Sequence, residues 1–122
     1  MAESKQYVTQ VQENGAVLIS EDVITTIVAH AIEEVEGVVG LNSKPGADII
    51  EMIGKKGWGK GLKVTIAEDD TLHVDCNINV AYGQSVVIVA NAVQESITNA
   101  LESMAGVKIR AVNVNVCGIV RQ

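Results

Sequence analysis

The chain has 122 residues, 48% of them hydrophobic, and a formal charge of −6 at pH 7. This length suits a single domain that buries a sizeable core without help from disulfides or metals. The acidic balance repels phosphate backbones and anionic lipid headgroups unless basic side chains form a patch, so it argues against nucleic-acid binding and against direct membrane insertion.

Cysteine usage and the N-terminus predict a cytoplasmic protein. Cys76 and Cys117 fall in strand-like segments without metal-ligand spacing, as expected of reduced, core-sized residues. No run approaches the ~20 apolar residues that span a bilayer, and the residues after Met1 do not form an export signal.

We predict a polar N-terminal segment over residues 1–14 and one domain over residues 15–122. Tyr7–Val11 is a candidate strand, because the hairpin-turn dipeptide Asn14-Gly15 separates it from the apolar strand-like run Ala16–Ile19.

A helix is predicted after this run. Ser20 is a good N-cap, Glu21 and Asp22 place negative charge in the first turn, and Gly37 ends the helical pattern. The apolar residues that follow predict a short strand over Val38–Leu41.

Residues 42–61 form the most basic segment and are predicted to be an exposed loop, because glycines and lysines alternate there. Ile53–Gly57 matches the GxxG loop by which KH domains clamp a nucleic-acid backbone. RNA binding by the Gly-rich loop 54–63 is therefore the alternative function, although a KH loop joins two helices and this one precedes a strand-like segment. The candidate RNA-binding residues are Lys55, Lys56, Trp58, Lys60 and Lys63.

The second half of the chain alternates strongly. Leu62–Ile66 and Leu72–Tyr82 have apolar residues at every second position and predict two strands of a hairpin. A helical pattern runs from near Ser85 to Met104, and alternation resumes over Val112–Val116.

These elements predict an α/β (α+β) fold: a two-layer sandwich with a mixed four- to five-stranded sheet and two long helices on one face. The other face of the sheet would be open. Its predicted residues are Lys63, Thr65, His73, Asp75, Asn77, Asn79, Asn113 and Asn115.

We expect no catalysis, metal or cofactor. His73 and Asp75 are the best acid–base pair in the chain, but a flat, open sheet lacks the concave, water-excluding pocket that catalysis favours. No His, Cys, Asp or Glu cluster has metal-ligand spacing.

Four asparagines at outward strand positions form the candidate interaction site: Asn77, Asn79, Asn113 and Asn115. Asparagine is depleted in strands, because its side chain competes for backbone hydrogen bonds. One explanation is simply a polar open face. The other is a surface that docks a second copy or another protein, either through these amides or through an edge strand, for which Ala16–Ile19 and Val38–Leu41 are candidates.

The chain resembles the alkaline-shock, or envelope-stress, protein family of Gram-positive bacteria over about residues 15–120. The matching segments are Gly15–Ser20 with Val23-Ile24, Glu36–Leu41, Lys60–Val64, Val74-Asp75, Val80–Gly83, Val89–Gln94, Val112–Val116 and Gly118–Val120.

The resemblance implies a non-enzymatic cytoplasmic scaffold or binding protein of the stress-response type. It implies that the protein lies at the membrane through a membrane-anchor or other envelope-associated protein, and that it forms homo-oligomers. Some members of the family are linked to lipid metabolism instead. The resemblance carries no catalytic residues.

Overall fold

The computed structural model describes residues 6–41 and 61–121 of the chain. Two helices and six strands follow one another in this part. In chain order they are β1 (Tyr7–Gln12), β2 (Gly15–Ser20), α1 (Glu21–Glu33), β3 (Val38–Leu41), β4 (Leu62–Ile66), β5 (Leu72–Ala81), α2 (Val86–Met104) and β6 (Ile109–Val120).

Strand β5 is the centre of a mixed four-stranded sheet. It pairs in parallel with β6 along its whole length, from Leu72 to Ala81. Strands β4 and β3 both pair with β5 antiparallel, β4 along its first half and β3 opposite Ile78–Val80. Because β6 occupies one edge of β5, β3 and β4 follow one another along the other edge. The predicted mixed sheet is confirmed, with four strands.

The core lies between this sheet and the two helices, which confirms the two-layer architecture. Every second side chain of β5 faces the helices and is fully buried: Leu72, Val74, Cys76, Ile78 and Val80. The helices bury residues three or four apart, the spacing of one helix face: Ile24, Val28, Ala31 and Ile32 in α1, and Val89, Val93, Ile97 and Leu101 in α2. Met104, which we predicted to lie on the apolar face, is 70% exposed because α2 ends there.

Strands β1 and β2 form a separate two-stranded antiparallel sheet. The predicted hairpin is present, but Gly15 pairs with Gln12, so the connecting residues are Glu13 and Asn14. This register places Val8 opposite Ile19, and Val8 is 1% exposed. A slip of one residue would turn these apolar side chains away from the core.

The hairpin is attached to the body of the domain by polar contacts. The Gln10 side-chain amide donates to the carbonyls of Ala105 and Gly106 at 3.2 and 3.0 Å, and the Thr9 N–H donates to Asp70 Oδ1 at 3.2 Å. An isolated two-stranded hairpin is marginally stable, so these contacts and the burial of Val8 hold it in place.

The predicted helix starts are confirmed, but α1 ends at Glu33 with Glu34 as its C-cap, before Gly37, where we predicted its end. Ser20 Oγ accepts a hydrogen bond from the Val23 N–H at 3.3 Å, and Ser85 Oγ accepts one from the Ile88 N–H at 3.4 Å. After α2 the chain turns at Gly106, whose φ of +65° lies in the left-handed region that glycine adopts freely.

Candidate functional site

The strand pairing brings the predicted open-face residues together. Lys63 and Thr65 of β4 lie opposite Asp75 and His73 of β5. On the other side of β5, Asp75 lies opposite Asn113, Asn77 opposite Asn115, and Asn79 opposite Gly118. The sequence therefore placed β5 and β6 correctly as neighbours. We call this surface the open face, with the eight residues predicted above.

On the open face, the side-chain amide of Asn113 links His73 and Asp75. Asn113 Nδ2 donates to Asp75 Oδ1 at 2.9 Å and lies 3.3 Å from His73 Nε2. An amide nitrogen only donates, so the second bond requires a lone pair on His73 Nε2 and fits a neutral ring protonated at Nδ1. The connection between His73 and Asp75 thus runs through Asn113.

A second amide pair lies beside it. Asn115 Nδ2 donates to Asn77 Oδ1 at 3.0 Å. Asn77 is 5% exposed, whereas Asn113 and Asn115 are exposed and Asn79 is half-buried. All four asparagines were expected at outward, open positions, and the structure instead places Asn77 out of contact with water. The buried amide keeps a partner, as buried polar groups do in folded proteins.

The thiol of Cys76 adds no nucleophile to this face. Burial, together with a smaller contribution from the charge of Asp75, raises the pKa of Cys76 to about 12. The side chain of Cys76 faces the helices and its Sγ donates to the carbonyl of Asn113 at 3.6 Å. Cys117 is a free, exposed cysteine rather than the core residue that we expected.

The alternative RNA site falls mostly beyond the described ranges. Lys55, Lys56, Trp58 and Lys60 lie outside them, so their part in RNA binding stays a prediction. Lys63 is half-buried in β4 and in register with Asp75.

Two further observations concern metals and membranes. Within residues 6–41 and 61–121, no three or more His, Cys, Asp or Glu side chains are grouped to hold a metal ion. Over the same described ranges, neither helix combines the length and the apolar character that crossing a bilayer requires.

Sequence reasoning missed a group of exposed apolar side chains where β5 meets α2. Tyr82, Val87 and Ile88 are 69%, 67% and 68% exposed. The available signal was the run Val86-Val87-Ile88, because a helix cannot turn three consecutive residues toward one core.

Comparisons with known proteins agree with this architecture. Uncharacterized protein YqhY of Bacillus subtilis (strain 168) is 36% identical to the chain over 105 residues, which are 86% of this chain and 77% of YqhY. Uncharacterized protein Spy1535 of Streptococcus pyogenes serotype M6 is 35% identical over 108 residues, 88% of this chain and 81% of that protein. Among solved structures, a MamM CTD variant superposes with a TM-score of 0.50 at 16% identity, covering 80% of this chain and 95% of that one. This likeness shows a shared fold.

The family comparison is more specific. The alkaline shock protein 23 family, described as having a cell envelope-related function, matches residues 9–121. This range contains both helices, all of the main sheet and every residue of the open face. The chain therefore belongs to the alkaline shock protein 23 family, whose function is related to the cell envelope.

Proposed function

We propose that the protein is a non-enzymatic scaffold of the cell-envelope stress type, which binds copies of itself through the open face. The observation that carries this proposal is the pair of hydrogen-bonded amide groups, Asn113 with Asp75 and Asn115 with Asn77. The strands fix these side chains in place, so a partner would meet a surface that is already ordered and loses little entropy on binding.

The chemistry of the open face suits a second copy. An amide both donates and accepts, so a row of amides can pair with the same row related by a two-fold axis. In the hydrogen bonds above, Asn113 and Asn115 each use the amide nitrogen, and both side chains are exposed.

Charge favours the same contact. The whole chain carries −6, but Lys63 and Asp75 oppose one another on the open face. Two copies can therefore approach through this face with less like-charge repulsion than through the acidic remainder of the surface.

The cell envelope-related function of the family supports a proposal about location and partners. We propose a cytoplasmic protein that is held near the membrane by a membrane-anchor or other envelope-associated protein. A role in lipid metabolism is a second possibility within the same family. Both are compatible with a scaffold that gathers other proteins without chemistry of its own.

Sedimentation velocity over a range of protein concentrations tests the self-association. The test variant is Asn113→Lys with Asn115→Lys, which places like charges on both sides of a two-fold contact. Asn77 is left unchanged, because burying a lysine there would destabilise the fold. The matched control is Asn91→Lys with Asn99→Lys, which makes the same change of charge on the exposed side of α2.

We expect the parent and the α2 control to associate and the open-face variant to remain monomeric. A parent that stays monomeric at all concentrations would refute self-association. A variant that associates as well as the parent would move the contact away from the open face, with the exposed edge strand β2 as the next candidate.

A further inference from the structure

The exposed apolar residues at the end of the β5–β6 pair form one surface. Strands β5 and β6 are parallel, so their carboxyl ends meet, and the Tyr82 N–H donates to the Val120 carbonyl at 2.8 Å. Ile119, opposite Val80, is 57% exposed. With Tyr82, Val87 and Ile88 it makes up what we call the apical patch.

The position of α2 brings Val87 and Ile88 toward the strand residues of the patch. The Gln94 side chain donates to the Val112 carbonyl at 3.0 Å, so this side of α2 lies over β6. Val87 is seven residues earlier, two turns along the same side. Because α2 begins at Val86, four residues after Tyr82, its first turn lies near the carboxyl end of the β5–β6 pair. Ile88 lies one residue further round the helix, on the same face as the exposed Glu95.

Acidic side chains lie near the start of α2, and we call them the acidic border of the patch. The turn after α1 carries the exposed side chains of Glu34 and Glu36. This turn packs against the start of α2. The Ala81 N–H donates to the Gly37 carbonyl at 2.9 Å, and a Cβ on Gly37 would lie 2.8 Å from Val89 Cγ2. On the other side, the Arg121 guanidinium lies 5.6 Å from the centre of the Tyr82 ring.

An exposed group of large apolar side chains with a charged border is typical of a binding surface. The border selects among partners by charge. Anionic lipid would be repelled by the carboxylates of Glu34, Glu36 and Glu95, and so would a second copy of a chain that carries −6.

We propose that the apical patch binds a cationic amphipathic segment of another protein. The apolar side of that segment would cover Val87, Ile88 and Ile119, and its lysines or arginines would lie against Glu34, Glu36 and Glu95. The segment docks as a helix, whose apolar residues three and four apart fit a compact patch of this kind. The patch is separate from the open face, so this binding and the self-association succeed or fail independently.

A synthetic 18-residue peptide with leucines three and four residues apart and lysines at the remaining positions serves as the probe. Its control is the same peptide with glutamate in place of lysine. Binding to the ¹⁵N-labelled full chain is followed by amide chemical shifts and by fluorescence anisotropy of the labelled peptide. Vesicles of anionic phosphatidylglycerol are tested in parallel.

The decisive variant is Val87→Ser with Ile88→Ser, whose sites are exposed, so the fold should persist by circular dichroism. Its matched control is Val11→Ser with Leu18→Ser, two apolar residues of the hairpin that are 82% and 60% exposed. A third variant, Glu34→Gln with Glu36→Gln, tests the acidic border.

We expect shifts confined to the apical patch and the Glu34–Gly37 turn, and an affinity that falls about tenfold or more in the patch variant. The hairpin control should keep the parent affinity, and the Gln variant should show a weaker salt dependence, because Glu95 remains. The proposal is overturned by equal binding of the patch variant, by shifts centred elsewhere, by equal binding of the glutamate peptide, or by vesicle binding without peptide binding.

Discussion

Replacing Asn115 by alanine should destabilise the fold more than the same change at Asn113, although both lie on one face of β6. Asn115 supplies the amide that bonds Asn77 Oδ1 at 3.0 Å, and Asn77 is 5% exposed. Removing the donor leaves a buried acceptor without its partner, which costs about 1–3 kcal/mol. Asn113 instead bonds the exposed His73 and the half-buried Asp75, which water can reach, so its loss should cost about 0.5 kcal/mol or less.

Urea denaturation followed by far-UV circular dichroism measures this difference in the free energy of unfolding. It should be done below the concentrations at which the protein self-associates, because association would add to the apparent stability. We expect the free energies of unfolding of the two variants to differ by about 1 kcal/mol. The slope of that free energy against urea concentration should be the same in both. Equal losses, or a larger loss for Asn113→Ala, would show that the burial of Asn77 does not set the cost.

Two further predictions follow from the backbone and from the buried thiol. In thermal or urea unfolding, Gly37→Ala should cost about 2–4 kcal/mol and Gly83→Ala only about 1 kcal/mol. The backbone strain is the same at both positions, where φ is +98° and +99°, but only at Gly37 would the added Cβ meet a neighbour, Val89, at 2.8 Å. Equal costs would contradict this. The pKa of Cys76 in the folded protein is about 12, above the ordinary value of 9.0. The buried thiol therefore contributes its full stabilisation below pH 9, and this stabilisation is lost as the pH rises toward 12, because the unfolded chain releases the proton first. By pH 10 the loss should be on the order of 1 kcal/mol, and a Cys76→Ala variant that shows the same fall in stability as the parent above pH 9 would refute it.

The helix starts and the faces of the strands were predictable, because local patterns determine them. Ser20 and Ser85 are N-caps in the structure as their positions before apolar-periodic segments indicated. The alternation from Leu72 to Val80 identified the buried side of β5, since a period of two permits only two faces.

What the sequence did not show depends on contacts distant in the chain. The alternating pattern places Asn77 on the open face, but it does not reveal that the side chain is buried from solvent there. The separate sheet of the hairpin and the bulge between Ile78 and Asn79 arise from how strands meet, which no local pattern determines.

The arrangement of β3 and β4 along one edge of β5 has a consequence for the residues that connect them. Leu41 pairs with Ile78 and Leu62 pairs with Cys76, so the connection leaves and rejoins the sheet at points about 7 Å apart. A connection that closes on itself can be lengthened at a cost of only about 0.6 kcal/mol per doubling. Changes in the length of the chain between Leu41 and Leu62 should therefore cost the fold little, while the strands on either side keep their places.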